Sequence, residues 1–129
     1  MTKHEHHNFI SAAAAVYVWM SASDGVINKT EISGFIDYLY TLDYISEISD
    51  SEFEETYIKI LTVFQNDYDK GVVEAKNRLK LFLADPIKSV DLIKTAREAL
   101  IADGVFNEAE ETVLKEIANF LQLDEEHIV

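Results

Sequence analysis

The sequence has no cysteine and only one proline among its 129 residues. Without cysteine the chain cannot form disulfide bonds, use thiolate chemistry or build a cysteine-ligated zinc site. The single proline, Pro86, follows Asp85, and this pair is typical of an N-cap and the first residue of a helix, where the missing backbone N–H costs nothing.

Basic residues are also few. The chain has 11 Lys and Arg against 24 Asp and Glu, and its formal net charge is -13. This charge repels phosphate backbones and anionic membrane surfaces, so we expect no nucleic-acid partner. It could attract cations or a basic patch on a protein partner, although a charged surface mostly serves solvation.

No apolar run is long enough to span a membrane. The longest runs from Phe9 to Met20, only 12 residues, and is interrupted by Ser11, whereas a spanning helix needs about 20. It therefore predicts a buried helix and no membrane insertion. The opening MTKHEHHNF lacks the basic start and apolar run of a signal peptide, so we expect a cytoplasmic protein. Its HEHH segment could bind a transition metal, but we expect residues 1–7 to be a flexible lead-in.

One nine-residue stretch occurs twice. Ser23 to Glu31 reads SDGVINKTE, and Ala102 to Glu110, 79 residues later, reads ADGVFNEAE, with five identical positions. The constant offset extends into the flanking helices and indicates an internal duplication. In each copy the glycine can end one helix, and the asparagine with the following glutamate can cap the next as a capping box.

Apolar residues at helical spacing predict helices from about residue 8 to the first corner, then over 29–42, 53–65, 70–84 and 86–102, and after Asn107, with a short last one from Asp124. Ser51 and Glu54 form a further capping box before the third of these helices, with Ser51 as its N-cap. The first helix is apolar on more than one face and should be central. No alternating run, linker or domain boundary interrupts this pattern, so we expect an all-α single domain over 1–129 with six or seven helices. The residues at helical spacing, which we expect to form the core or its edge, are Phe9, Ala13, Val16, Tyr17 and Met20; Ile32, Phe35, Ile36 and Leu39; Phe53, Tyr57, Ile60, Leu61 and Phe64; Val72, Val73, Ala75, Leu79, Phe82 and Leu83; Val90, Ile93, Ala96, Arg97 and Leu100; and Val113, Leu114, Ile117 and Leu121.

The corner pattern D-G-x-apolar-N-x-x-E matches the second half of an EF-hand loop. If each glycine takes the sixth position of the loop, Glu31 and Glu110 take the twelfth, where a bidentate carboxylate is needed. The first and third positions then carry no side-chain oxygen, so an ordinary EF-hand is excluded in both copies. These positions are Met20, Ala22, Ala99 and Ile101.

A divalent cation could still bind between the corners if the fold brings them together. The candidate ligands are Asp24, Glu31, Asp103 and Glu110, with Asn28 and Asn107 assisting. Four close carboxylates without a cation would raise one another's pKa values. Helix capping alone also accounts for each of these residue types and is the preferred interpretation, although a cap residue can also bind an ion.

The two corners, each joining an apolar helix to an amphipathic one, and the closing LKEIANFLQLD resemble the TerB-like family of tellurite-resistance and related stress proteins. The resemblance covers most of the chain and is weakest over about 45–85. It implies a helical bundle of duplicated units, an acidic cluster suspected of binding metal, and a non-enzymatic role in stress or membrane-associated assemblies. Asp24, Glu31, Asp103 and Glu110 match the family's acidic positions.

Two functions are therefore open. One is an interaction or scaffold domain with protein partners, whose corners hold the fold together; the other is a cation-responsive regulatory module. A hydrolase using paired carboxylates is a weaker alternative, because no nucleophile and base are paired in the sequence and His127 is isolated. Tyrosines such as Tyr38, Tyr40, Tyr44, Tyr57 and Tyr68 would suit a homodimer interface, but they are also ordinary at a core edge.

Overall fold

The bundle is built around its first helix. The structure is a computed structural model that describes residues 3–23, 37, 39–41, 50–103 and 108–123. Helix α1 spans Lys3–Ala22, and every residue from Phe9 to Met20 except Ser11 is buried. Its four consecutive alanines, Ala12 to Ala15, are fully buried, and their small side chains allow neighbouring helices to approach closely. The prediction of a central helix that is apolar on more than one face is confirmed.

Four further α-helices pack around α1 in the described residues. They are α2 (Asp50–Asn66), α3 (Tyr68–Leu79), α4 (Pro86–Asp103) and α5 (Glu108–Phe120), with a 3-10 turn at Lys80–Phe82 after α3. Each of the four contacts α1, and α2 with α3 and α4 with α5 also contact each other. The described ranges contain no strand, so the all-α expectation is confirmed; the count of six or seven helices is not.

The two helices aligned by the internal repeat, α1 and α4, pack directly against each other. The predicted first corner, the helix over 29–42 apart from residues 37 and 39–41, and the helix from Asp124 lie outside the described residues. Within that predicted second helix, residues 37 and 39 are helical and Leu39 is fully buried, as expected.

Local capping rules account for the helix ends that the structure describes. The backbone N–H of Lys70 donates to Asp67 Oδ1 at 3.2 Å, so Asp67 is the N-cap of α3. The backbone N–H of Lys88 donates to Asp85 Oδ1 at 3.1 Å, which confirms Asp85 as the N-cap and Pro86 as the first residue of α4.

The end of α5 uses a less common residue. Gln122 takes the left-handed backbone conformation with φ 61°, a place usually held by glycine. The N–H of Leu123 donates to the carbonyl of Ala118 at 2.9 Å, and that of Gln122 to the carbonyl of Asn119 at 3.1 Å. These two bonds form a Schellman motif, which satisfies the last carbonyls of the helix.

Four predictions about the helices need correction. Residues 3–7, expected to be a flexible lead-in, are the first turns of α1, because His6 is buried and extends the packed face of that helix by one turn. Helix α2 already includes Asp50 and Ser51, so Ser51 is not its N-cap. Helix α3 begins at Tyr68 because Asp67 caps it directly. Val73, predicted to face inward, is 58% exposed because Gly71 and Ala75 occupy the buried face.

The candidate acidic corner and the polar sites of the bundle

The second acidic corner joins α4 to α5. Helix α4 ends at Asp103 and α5 begins at Glu108, with three glutamates in its first turn, Glu108, Glu110 and Glu111. Negative side chains are favourable there because the helix dipole places partial positive charge at the N-terminus. Of the three, only Glu110 is buried, at 2% exposure.

Burial of the Glu110 carboxylate has an energetic consequence. A carboxylate removed from water is costly unless hydrogen bonds or an opposite charge compensate it. Glu110 takes part in a hydrogen bond or electrostatic interaction. Its place in the first turn also agrees with the N3 position of a capping box, whose predicted N-cap, Asn107, lies outside the described residues.

The remaining predicted cation ligands are placed only in part. The backbone of Asp103 ends α4, whereas Asp24, Asn28 and Glu31 lie outside the described residues. In the described ranges, no group of three or more histidines and acidic residues is arranged to hold a metal ion. Convergence of the two corners on one cation therefore stays a prediction.

The helices that α5 contacts are relevant to the predicted convergence of the two corners. Helix α5 contacts both α1 and α4, which are the two helices that precede the two corners. At the end of α1, the Ser23 hydroxyl donates to the Met20 carbonyl at 2.6 Å. Glu110 therefore lies on a helix that is packed against the helices leading into both corners.

The histidine-rich opening does not form a metal cluster within the described residues. His6 is buried, while the adjacent Glu5 and His7 are exposed. Consecutive helical residues point about 100° apart, so the neighbouring side chains face different surroundings. The helix thus separates the side chains that the HEHH sequence places together.

A second polar cluster ties α1, α3 and α5 together. Trp19 Nε1, on a fully buried residue, donates to Tyr68 Oη at 3.2 Å. Lys76 Nζ lies 5.9 Å from the centroid of the Trp19 ring and 2.9 Å from Glu116 Oε1. Partial burial raises the pKa of Tyr68 above its ordinary value, with smaller raising effects from Glu116 and Asp69, while the hydrogen bond from Trp19 opposes the rise.

The tyrosines do not form one exposed interface in the described ranges. Tyr57 is fully buried and packs against the Tyr17 ring, whereas Tyr40 is 50% exposed and packs edge-on against Phe53. Tyr38 and Tyr44 lie outside the described residues. Tyr57 is therefore a core residue and is removed from the homodimer hypothesis.

A polar cavity that no motif had indicated lies between α1, α2 and α3. Its volume is about 280 Å³. It is lined by His7, Ser11, Glu55, Thr56, Lys59, Ile60 and Arg78. The one available sequence signal was Ser11, a polar residue inside an apolar run, since a polar side chain in such a place needs a partner.

The described architecture, a central apolar helix wrapped by amphipathic helices with a buried acidic residue at a corner, defines an all-α bundle protein. The model of the family described as Tellurite resistance protein TerB matches residues 11–129. The chain belongs to this family. Searches of curated proteins and of solved structures found no significant match.

The fold also bears on membrane association. In the parts of the chain that the structure describes, no helix has the length and apolar character required to cross a bilayer.

Proposed function

We propose that this chain is a non-enzymatic interaction or scaffold domain acting in a stress response of the kind its family description names, tellurite resistance. The observation that carries the proposal is the buried Glu110 carboxylate at the start of a helix packed on both α1 and α4. A buried acidic residue at this place makes the corner part of the internal framework, because it fixes where α5 starts relative to its neighbours.

A divalent cation bridging the two acidic corners is the second candidate function. The same buried carboxylate favours it, because Glu110 occupies the position that supplies a bidentate ligand in an EF-hand loop. In this alternative, Asp24, Glu31 and Asp103 complete the site, with Asn28 and Asn107 assisting. Cation binding would then regulate the affinity of the domain for its partner.

The net charge and the exposed apolar side chains indicate what kind of partner the domain would bind. A net charge of -13 favours a protein with a basic patch and disfavours nucleic acid. Two aliphatic side chains beside the α3 to α4 connection, Leu81 and Ile87, are 62% and 76% exposed and offer apolar contact area. A membrane-associated protein complex in the cytoplasm can supply such a basic patch. In a homodimer, the apolar contact area would have to hold the two copies together, because the second copy carries the same negative charge.

Thermal unfolding with calcium, magnesium, manganese or zinc separates the two candidates. A cation that binds only the folded chain stabilises it by about 2.7 kcal/mol at one hundred times its Kd, which is a shift of several degrees in Tm. The test variant is Glu110→Gln, and the matched control is Glu108→Gln, an equal charge change on an exposed residue of the same turn.

The two candidates predict different outcomes. If a cation bridges the corners, wild type and Glu108→Gln gain Tm with metal while Glu110→Gln does not, and Asp24→Asn with Asp103→Asn stabilises the metal-free chain by relieving repulsion. If the corners serve only as caps, metal changes nothing, and glutamine at 110 retains most of the stability because it also fits a capping box. Absence of any shift at millimolar metal rejects the cation-responsive function.

A further inference from the structure

We infer that the cavity between α1, α2 and α3 is a binding site for a small oxyanion carrying a phosphate or carboxylate group. The site lies near the N-terminal end of α1, at His7 and Ser11, and none of the predicted cation ligands is among the residues that line it. From Ser11 to Ala22 the helix rises about 16 Å. The cavity is thus distinct from the proposed cation site.

The charge of the cavity wall is opposite to that of the whole chain. Acidic residues outnumber basic ones 24 to 11 in the sequence, yet the wall carries Lys59 and Arg78 against one acidic residue, Glu55. Among the described residues, neither Lys59 nor Glu55 forms an ion pair. The Lys59 ammonium therefore lies more than 4.0 Å from the carboxylate that shares the cavity.

Arg78 is held in a fixed orientation at the cavity wall. Its Nε donates to Ser11 Oγ at 2.8 Å, and its Nη1 donates to the Glu74 carbonyl at 3.3 Å. A guanidinium has five N–H donors, so these two bonds leave three. Within the described chain, its ion pair with the Glu74 carboxylate is long, at 4.0 Å.

A guanidinium oriented in this way suits an oxyanion. Its planar fork matches the two oxygens of a phosphate or carboxylate, and a side chain already held in place loses little conformational entropy on binding. Lys59 adds a second positive charge, and Thr56 adds a hydroxyl that can donate to an anion oxygen. Glu55 can accept a hydrogen bond from a protonated ligand oxygen, which favours a hydrogen phosphate over a fully ionised anion.

The size of the cavity limits the ligand. Its volume of about 280 Å³ is slightly below the usual range for drug-sized ligands, about 300–1,000 Å³. A single phosphate or carboxylate group, alone or on a small carrier, fits this space. A long polyanion does not, which agrees with the negative charge of the rest of the surface.

Isothermal titration of the full chain with inorganic phosphate and with acetate, at constant ionic strength set by sodium chloride, tests the inference. The test variants are Lys59→Gln and Arg78→Lys, and the matched control is Lys94→Gln, an equal charge change on an exposed residue of α4 away from the cavity. Arg78→Lys keeps the charge but removes the fork. The two anions distinguish a phosphate site from a carboxylate site.

We expect saturable binding of at least one anion to wild type and to Lys94→Gln. Lys59→Gln and Arg78→Lys should each weaken it about tenfold, which corresponds to about 1.4 kcal/mol. Amide NMR shifts during the titration should cluster around residues 7–11, 55–60 and 78. Absence of saturable binding, or equal weakening by Lys59→Gln and Lys94→Gln, overturns the inference. These results do not bear on the acidic corners, because no predicted cation ligand lines the cavity. Glu110→Gln should therefore leave anion binding unchanged.

Discussion

Replacing Gly71 by alanine has two opposing effects on stability, a gain in helix propensity and a loss in packing, and their sizes can be compared. Gly71 lies in the first half of α3, where it is buried and its N–H donates to the Asp67 carbonyl at 3.0 Å. In a helix, alanine is favoured over glycine by about 1 kcal/mol. Helix propensity alone therefore predicts that Gly71→Ala stabilises the protein.

Packing predicts the opposite result. A Cβ at position 71 would lie 2.6 Å from both Cγ and Cδ1 of Phe64 and 2.9 Å from Cδ2. Carbon atoms in contact prefer about 3.5–4.0 Å, so the ring must retreat by about 1 Å. Cγ lies on the axis of ring rotation, and turning the ring does not remove that clash.

Phe64 has little room to retreat. It is 4% exposed, and its ring packs edge-on against the Tyr68 ring with centroids 5.8 Å apart. Overpacking of this kind typically costs about 1–3 kcal/mol. After the gain in helix propensity is subtracted, we expect Gly71→Ala to lower the free energy of unfolding by about 1 kcal/mol.

Urea unfolding measures this difference, followed by circular dichroism at 222 nm and by the fluorescence of the fully buried Trp19, the only tryptophan. Asn77→Ala is the control, because Asn77 is exposed on the same helix and alanine there should stabilise by a few tenths of a kcal/mol. If Gly71→Ala is as stable as wild type or more so, the close approach of Phe64 does not constrain this position and the packing argument is refuted.

Two further predictions concern a helix end and a phenol. Gln122→Gly should raise the free energy of unfolding by up to about 1 kcal/mol in the same assay, because glycine takes the left-handed φ of 61° without strain. The control, Gln65→Gly on the exposed face of α2, should lower the free energy of unfolding by about 1 kcal/mol. A loss of stability in Gln122→Gly would contradict this account of the α5 end. The pKa of Tyr68 is raised in the folded state, so above about pH 10 the unfolded chain loses this proton first and the folded state loses stability as pH rises. The difference in free energy of unfolding between wild type and Tyr68→Phe, measured by urea unfolding at several pH values, should therefore be constant below about pH 10 and shift against wild type above it. A difference that does not change above about pH 10, or that shifts in favour of wild type, would contradict the raised pKa.

The apolar periodicity of the sequence was sufficient to predict most of the core. The stripes on α2 and α5, including Tyr57, Phe64, Leu114 and Ile117, are buried as expected. An amphipathic helix can hide an apolar stripe only by turning it inward, so the pattern determines the buried face wherever one stripe dominates. The Asp85 and Pro86 pair succeeded for a similarly local reason, since a cap involves only residues within one turn.

The same rules failed where two faces compete or where a polar residue is buried. Val72 and Val73 are adjacent, and the sequence alone did not show that Gly71 would lie against Phe64 and leave Val73 outside. His6 was expected in a flexible lead-in because it lies close to the N-terminus, yet it is buried on α1. Burial of such a residue depends on what the rest of the chain places beside it.

Of the predicted cation site, the structure describes the side chain of one ligand, Glu110, and shows it buried. The repeat in the sequence was enough to identify this residue, because a duplicated acidic position beside a glycine is visible without coordinates. Burial of the carboxylate was not predictable from that pattern. Its exposed neighbour Glu108 has the same charge in the same turn, and only the packing of α5 on α1 and α4 distinguishes the two.

By itself, the sequence determined that this protein is an acidic, cysteine-free all-α chain with a repeated corner and an apolar central helix. The tertiary structure alone decided which distant residues meet. Ser11 and Arg78 are 67 positions apart, and Trp19 and Tyr68 are 49 apart, yet each pair is hydrogen-bonded. The reason is that local periodicity specifies which face of a helix is buried, whereas the partners on that face depend on how the helices are packed and in what register.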